Sequence, residues 1–492
     1  MHTIVKKHGI IVLLLISLFA GCKNQPNNTG DDKVTKPSTQ EQLSEPVYRP
    51  PVSTESYSQS VDLEAKIGQM LIVGFRGLSI KDKAVQNLRK DIQKYHLGGV
   101  ILFDYDMTRK SWKRNIKSPT QVRTLVEQLQ VVSQIPLFIA VDQEGGNIQR
   151  LKKKFGFPTT ASAQYLGQQN NLALTNKQAS KIAKTLAGLG INFNFAPVVD
   201  LNLNPNNPVI GGLKRSFSAK PDIVTQHALK FIEAHRRYGV LCAIKHFPGH
   251  GSSISDSHAG WVDVTNTWKE IELEPYQRII DEGMADAVMT AHIFNKRLDS
   301  EHPATLSNKI VTGKLRQELR YDGVVVSDDM QMGAITNNYD FERAIQIALE
   351  AGIDLIVIGN NLKYEKDIIK RTVAVIKQLV EEGKIPTARI DESYQRIQQL
   401  KSRLPKRYAL TVEAEPSDSR IRIMKYLELK YSPGSDVKQE HYQGYGPKYF
   451  HGIKLKPGSY DIWIDKKGYH SKKQWVTIRN QDTTKMVNLE KK

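Results

Sequence analysis

From residue 61 onward the chain alternates between two textures. Short apolar runs recur at Met70–Phe75, Gly99–Phe103, Leu137–Val141, Ile191–Phe195, Val240–Ile244, Ala287–Ala291, Gly323–Val326 and Leu355–Ile358. Near-continuous apolar runs of this length are what strands covered on both faces require. Ile191–Phe195 fits less well, because Asn192 and Asn194 interrupt it. Between the runs lie helical patterns. Ile368/Ile369, Thr372/Val373, Ile376 and Leu379/Val380 follow the i, i+4, i+7 spacing, and a last helix sets Ile390, Tyr394, Ile397 and Leu400 on one face. Eight β-then-α units over residues 61–404 predict an α/β fold, a (β/α)8 TIM-type barrel generated by right-handed crossovers. A doubly wound open sheet fits the same pattern, since strand order is not written in a sequence.

Beyond Leu404 the period changes from helical to alternating. Arg420–Ile423, Tyr460–Ile464 and Trp475–Ile478 are separated by Pro-Gly and Lys-Gly turns, which predicts a small antiparallel β-sandwich over residues 405–492.

The amino-terminal segment is built differently. Lys6, Lys7 and His8 precede an apolar run from Ile10 to Ala20, broken only by Ser17. A membrane-spanning helix needs ~20 apolar residues, so this run with its basic flank reads as a secretory signal. Ala20-Gly21 before Cys22 resembles a bacterial lipoprotein box, apart from Phe19 where an aliphatic residue is usual. Residues 1–22 are therefore expected to be a signal with Cys22 as the lipidated residue; an ordinary signal that happens to contain a cysteine is the alternative. Residues 23–60 are rich in Asn, Pro, Ser, Thr, Gln and Glu, with four aliphatics. Such a stretch cannot bury enough surface to offset its ordering entropy, so it reads as a tether.

Composition sharpens this picture in two places. The 492 residues hold only Cys22 and Cys242, which excludes a disulfide framework and any Cys-rich metal module. Lys and Arg number 70 against 51 Asp and Glu, a net charge of +19. That charge implies anionic surroundings. For an exported chain the expected partners are a membrane surface, through the lipid anchor, and an anionic cell-wall polymer, not nucleic acid. Residues 405–492 carry 18 Lys and Arg against 10 Asp and Glu, with Tyr442, Tyr445, Tyr449 and Phe450 near one another. This tail either holds such a polymer or simply presents a solvated basic face.

Polar motifs follow the carboxyl ends of the apolar runs, on the face where barrel enzymes build their sites. Asp142–Gly146 follows the third run, Ala196–Asp200 the fourth and Lys245–His250 the fifth. His292 follows the sixth, Ser327–Asp329 the seventh and Gly359-Asn360 the eighth. The richest stretch is Lys245–His258, KHFPGHGSSISDSH. Asp256 and His258 are two apart, so in an extended segment both side chains point the same way. A carboxylate beside an imidazole fixes its tautomer and favours the protonated ring, which suits His258 to proton transfer near neutral pH. A loop-stabilising Asp–His bond is the commoner fate of such a pair, and a zinc site of His246, His250 and His258 is a further reading without HExxH or CxxC support. Asp328, at a strand end, is open to service as metal ligand, helix cap or nucleophile. No P-loop and no GxSxG pattern occurs.

With these motifs in this order, residues 61–404 resemble the family 3 glycoside hydrolases, in the β-N-acetylglucosaminidase branch. The KHFPGHG…DSH loop, the DQEGG run, Lys214–Phe217 and Ser327–Met330 carry the resemblance. It implies a retaining double displacement with Asp328 as nucleophile, His258 as acid/base and Asp256 as its dyad partner, unlike the two-carboxylate arrangement of most retaining glycosidases. It also implies that Asp142, Arg150, Arg215, Lys245 and His246 grip the terminal sugar, as charged groups make the stronger hydrogen bonds to hydroxyls. Asn147 stands where the family often has Arg. The tail, through Leu455–Tyr460 and Gly468-Tyr469, resembles a PEGA-type surface domain and departs from the α/β sandwich of two-domain members. The expected activity is release of terminal GlcNAc from peptidoglycan fragments or related glycans, with no metal and no organic cofactor. A glycoside phosphorylase, a β-glucosidase and an inactive wall-binding lipoprotein are the other readings.

Overall fold

The computed structural model describes residues 61–257, 260–432, 435–442, 449 and 451–492. The expected signal, Cys22 and the tether lie outside the described residues. Eight parallel strands form the ring: β1 (Leu71–Gly74), β2 (Gly99–Ile101), β3 (Phe138–Val141), β4 (Phe193–Asn194), β5 (Leu241–Phe247), β6 (Ala287–Thr290), β7 (Val324–Val326) and β8 (Ile356–Ile358). Each pairs with its sequence neighbour, and β1 pairs with β8, Leu71 opposite Ile356. A single parallel bridge between Val326 and Leu355 joins β7 to β8 and brings the sheet round into a barrel. Closure selects the barrel over the open sheet.

The residues of all eight strands are buried, because helices cover their outer side. α1 (Lys83–Tyr95), α2 (Pro119–Gln130), α3 (Leu172–Leu189) and α4 (Pro221–Arg237) follow β1 to β4 in turn. α5 (Glu274–Asp281) follows β5, and α6 (Phe341–Ala351) precedes β8. α7 (Ile368–Glu381) and α8 (Thr387–Ser402) complete the layer. α7 turns Ile368, Ile369, Thr372, Val373, Ile376 and Leu379 inward, the stripe its spacing predicts. Local sequence sets the starts of two helices: Ser118 accepts from the Gln121 amide before α2, and Asn171 accepts from the Leu174 amide before α3.

β4 is only two residues long, and its asparagines explain why. Asn192 accepts from the Ile139 amide at 2.7 Å and donates to the Leu137 carbonyl at 2.9 Å. Asn194 accepts from the Gln143 amide and donates to its carbonyl, each at 3.0 Å. Side-chain amides here do what strand backbone does elsewhere, so the poor apolar run still belongs to the ring. The opposite, amino-terminal end holds a buried cation that periodicity does not announce. Lys401 on α8 donates to Gln69 at 2.8 Å and to the Gly98 carbonyl at 2.9 Å, and burial pushes its ammonium well below the usual lysine range.

After α8 come two small sheets. One is antiparallel and holds the three segments that alternation predicts: Arg420–Ser432, Gly458–Asp465 and Lys472–Ile478, with Ser435–Tyr442 as an edge. The other is mixed. Tyr408–Glu415 pairs antiparallel with Ile453–Leu455 but parallel with Thr483–Asn488. The tail is thus not wholly antiparallel, since its first and last strands lie side by side in the same direction. Tyr445, Phe450 and the side chain of Tyr442 lie outside the described residues; Tyr449 is half-buried and its hydroxyl accepts from the Val412 amide.

Candidate active site

The mouth at the carboxyl ends of the strands is organised by a network of buried charges. Lys245, near the end of β5, sends its ammonium to Asp142 and Glu144, each at 2.9 Å. Asp142 directly follows β3, and Glu144 lies two residues on in a short extended ribbon, so both carboxylates face the same way. Arg150 reaches Asp142 at 3.1 Å. Arg215 grips Glu144 with two parallel bonds, at 2.8 and 2.7 Å, the fork geometry that guanidinium suits. Its same Nη2 also meets His246 Nε2 at 3.2 Å. A guanidinium only donates, so Nε2 accepts and the ring proton sits on Nδ1, which donates to Asp200 at 2.7 Å.

All five residues expected to grip a sugar are therefore brought together. Two further acids complete the set: Glu144, paired with Arg215 and Lys245, and Asp200, paired with the His246 ring. Burial alone would raise each carboxyl. Lys245 and Arg150 outweigh it at Asp142, holding that group well below the usual carboxylate range. Glu144 is likewise drawn down, to about 2, by Arg215 and Lys245, and Asp200 is lowered by His246. Burial opposes the charged form of Lys245, but Asp142 and Glu144 raise it. The charged forms sustain one another.

Asp200 has a second task. Its Oδ1 accepts from the amides of His246 and His250, at 3.1 and 2.8 Å, fastening the loop after β5 to the end of the fourth unit. The glycines of that loop are forced by close approach. A Cβ on Gly251 would lie 1.7 Å from the Leu201 carbonyl oxygen. Gly249 adopts φ +123, and a Cβ there would meet Glu272 at 2.6 Å. Glu272 supports the loop from below, accepting from the Ser252 hydroxyl at 2.6 Å and the Gly251 amide at 3.1 Å. Burial pushes its carboxyl up to about 7. The His250 ring meets the Ser253 and Ser257 hydroxyls, and burial lowers it to about 4. Among the described residues no group of three His, Cys, Asp or Glu is placed to hold a metal ion.

On the far side, Asp328 and Asp329 follow β7 and are both half-buried. Asp329 accepts from the amides of Gly359 at 2.8 Å and Gln331 at 3.0 Å, so it clamps the eighth strand end. His292, buried after β6, holds the Asp329 carbonyl at 3.0 Å and Thr305 at 2.9 Å. Asp256 lies half-buried on the loop after β5, while His258 lies outside the described residues. Asn147 sits exposed on the ribbon turn, where its side-chain amide donates to the Leu213 carbonyl at 3.5 Å.

Sequence reasoning names Asp142, Arg150, Arg215, Lys245 and His246 of this network but misses Glu144 and Asp200 as members. The two-residue spacing from Asp142 is the signal for Glu144. Asp200 has none beyond its rim position, since its partners come from another strand.

Comparison with known proteins bears on the family and the fold. The model of the glycosyl hydrolase family 3 N-terminal domain matches residues 62–400. Beta-hexosaminidase A of Pseudoalteromonas piscicida is 36% identical over 379 residues, covering 71% of this chain and 60% of the relative. Beta-hexosaminidase LpqI of Mycobacterium tuberculosis is 29% identical over 403 residues, covering 80% of this chain and 97% of the relative. The solved family 3 beta-N-acetylglucosaminidase of Paenibacillus sp. str. FPU-7 superposes with a TM-score of 0.63 at 36% identity, over 70% of this chain and 63% of that one. This chain thus spans about three fifths of the first and third of these proteins. On a barrel of eight parallel strands, the match of the family model over residues 62–400, more than half of the chain, shows that the chain belongs to glycosyl hydrolase family 3.

Proposed function

We propose that the protein is an exo-acting, retaining β-N-acetylglucosaminidase that removes terminal GlcNAc from peptidoglycan fragments or related glycans. The observation that carries the reading is the opposition across the mouth: the Asp142–Lys245 network lies at β3 and β5, and Asp328 lies at the end of β7. A terminal sugar gripped by the network presents its anomeric carbon toward Asp328. The Asp328 carboxylate attacks that carbon, the bond to the leaving oxygen breaks, and His258 gives the oxygen its proton. His258 then takes a proton from water as the water oxygen displaces Asp328, and the sugar leaves with its configuration retained. Asp256, two residues before His258, steadies the ring. Asp329 is the clamp and Asp328 the nucleophile: Asp329 fastens the Gly359 and Gln331 amides, whereas the backbone amide that Asp328 accepts is that of its neighbour Asp329.

The test is a chromogenic β-GlcNAc substrate with wild type, Asp328→Asn and His258→Ala. Asp328→Asn abolishes turnover, and wild-type rates in that variant would sink the nucleophile assignment. His258→Ala costs ~10²–10⁴-fold, the usual worth of a general acid–base, and less with leaving groups that need no proton. Added phosphate yielding a sugar 1-phosphate would mark a phosphorylase instead, and preference for a β-glucoside would mark a glucosidase.

We also propose that the protein is a bacterial envelope lipoprotein anchored through Cys22, with a PEGA-like tail that holds an anionic wall polymer. Support comes from the apolar run before Cys22, the excess of 18 basic over 10 acidic residues in the tail, and Trp475 standing 48% exposed there. Cys22→Ala moves the protein from the membrane to the soluble fraction on this reading; unchanged membrane association would refute it.

A further inference from the structure

The seam between β8 and β1 holds a second concavity at the same end of the barrel, lined by none of the network residues. It encloses about 570 Å³, within the range of small-ligand sites. Its floor is apolar, with Leu88 on α1 and Ile368 and Ile369 on α7 buried there. Its rim is cationic: Arg76, Lys83, Arg109, Lys113 and Lys366 stand against Asp82 and Asp91.

The pairing of these charges is unlike that of the mouth. Arg76 is neutralised by Asp106 at 2.7 Å and lies over the Tyr364 ring at 3.7 Å. Asp82 is held by the amides of Leu78 and Ser79, at 2.7 and 3.1 Å. Lys83, Arg109, Lys113 and Lys366 line the same concavity, and none forms an ion pair with a described residue. Unmatched cations around a concave, partly apolar surface focus a positive potential into it. The first turns of α1 and α7 open onto the same space through Lys83, Ala84, Ile368 and Ile369, and neither start carries a side-chain cap. Their backbone N–H groups add to the positive field. Burial, and then the charge of Asp367, push the half-buried Asp91 carboxyl up, which weakens its opposition.

One wall is shared with the catalytic rim. Asn360 lines the concavity and its carbonyl accepts from buried Arg114 at 2.6 Å. The preceding residue, Gly359, is the one clamped by Asp329.

We propose that this seam is a second ligand site, taking a small molecule that joins an apolar or sugar-like body to a carboxylate or phosphate group. The assignment rests on the seam alone and holds whatever the mouth hydrolyses. The full chain is titrated calorimetrically with inorganic phosphate, with N-acetylmuramic acid and with neutral GlcNAc, as wild type and as the double variant Lys113→Glu/Lys366→Glu. Both positions are exposed, so the variant leaves the core intact. At least one anion binds wild type saturably, and the double charge reversal weakens that binding ~10-fold or more. Phosphate binding alone points to a phosphate ligand, N-acetylmuramate binding alone to a carboxylate, and either supports the site. GlcNAc, bound at the mouth, is unaffected by the variant; failure of GlcNAc to bind would count against the mouth and not the seam. Equal anion affinity in the two proteins, or no saturable anion binding, overturns the proposal.

Discussion

The mouth of the barrel and the seam between β8 and β1 both gather cations, and they treat them in opposite ways. At the mouth Lys245 is 3% exposed and touches two carboxylates, and Arg215 is doubly bonded to one of them, Glu144. At the seam Lys113 and Lys366 are exposed and have no ion pair among the described residues. Burial makes the difference. A charge removed from water is tolerated only with a partner and hydrogen bonds, whereas an exposed one is solvated and needs neither. Pairing at the mouth is therefore a condition of keeping these charges buried.

The sharpest way to break this contrast is at Lys245. Lys245→Met removes the shared cation from Asp142 and Glu144 and leaves two buried carboxylates short of a partner. Loss of one member of a buried pair costs about 3–5 kcal/mol, so denaturant unfolding should show a loss of that order together with collapse of activity. A loss below about 1 kcal/mol would mean that the network is solvated and the comparison mistaken.

A second, pH-dependent effect lies under the loop after β5. Burial first, and the charge of Asp200 next among the raising causes, lift the Glu272 carboxyl to about 7 despite its hydrogen bonds. The folded state then binds that proton more tightly than the unfolded chain, whose group titrates near 4.5. Its stabilising contribution is fully present below the unfolded value and is lost as pH rises through about 7. Glu272→Gln has no such proton to lose, so the variant gains thermal stability relative to wild type between those two pH values. Parallel melting curves for the two proteins across that window would count against the burial of Glu272.

The smallest effect belongs to the seam. Lys113→Glu/Lys366→Glu should change stability by no more than about 0.5 kcal/mol per site, as surface changes usually do, and leave hydrolysis of a chromogenic substrate at the wild-type rate. A large loss there would mean that these cations are paired after all.

Much of this molecule is legible in its residues alone. Apolar runs and helical spacing mark all eight β-then-α units, and the polar residues after them lie on one rim. Asp142, Arg150, Arg215, Lys245 and His246 can be named together because the family motifs carry them. Less legible are residues whose role comes from a partner far along the chain. Asp200 ties down a loop some fifty positions away, and Lys401 meets Gln69 and Gly98 across the barrel floor. By residue type alone Asp328 and Asp329 look equivalent; in the structure Asp329 accepts the Gly359 and Gln331 amides, whereas Asp328 accepts the amide of Asp329 itself.

By itself, then, the sequence determined the elements, their order and the chemistry available at each strand end, because periodicity and residue type act locally. Tertiary structure alone decided that the sheet closes through Val326 and Leu355, that Asp142 and Glu144 pair with Arg150, Arg215 and Lys245 while Asp200 holds His246, and that the tail's first and last strands run parallel. Those are facts of distance between remote residues. Burial then turns each such distance into an energy large enough to matter.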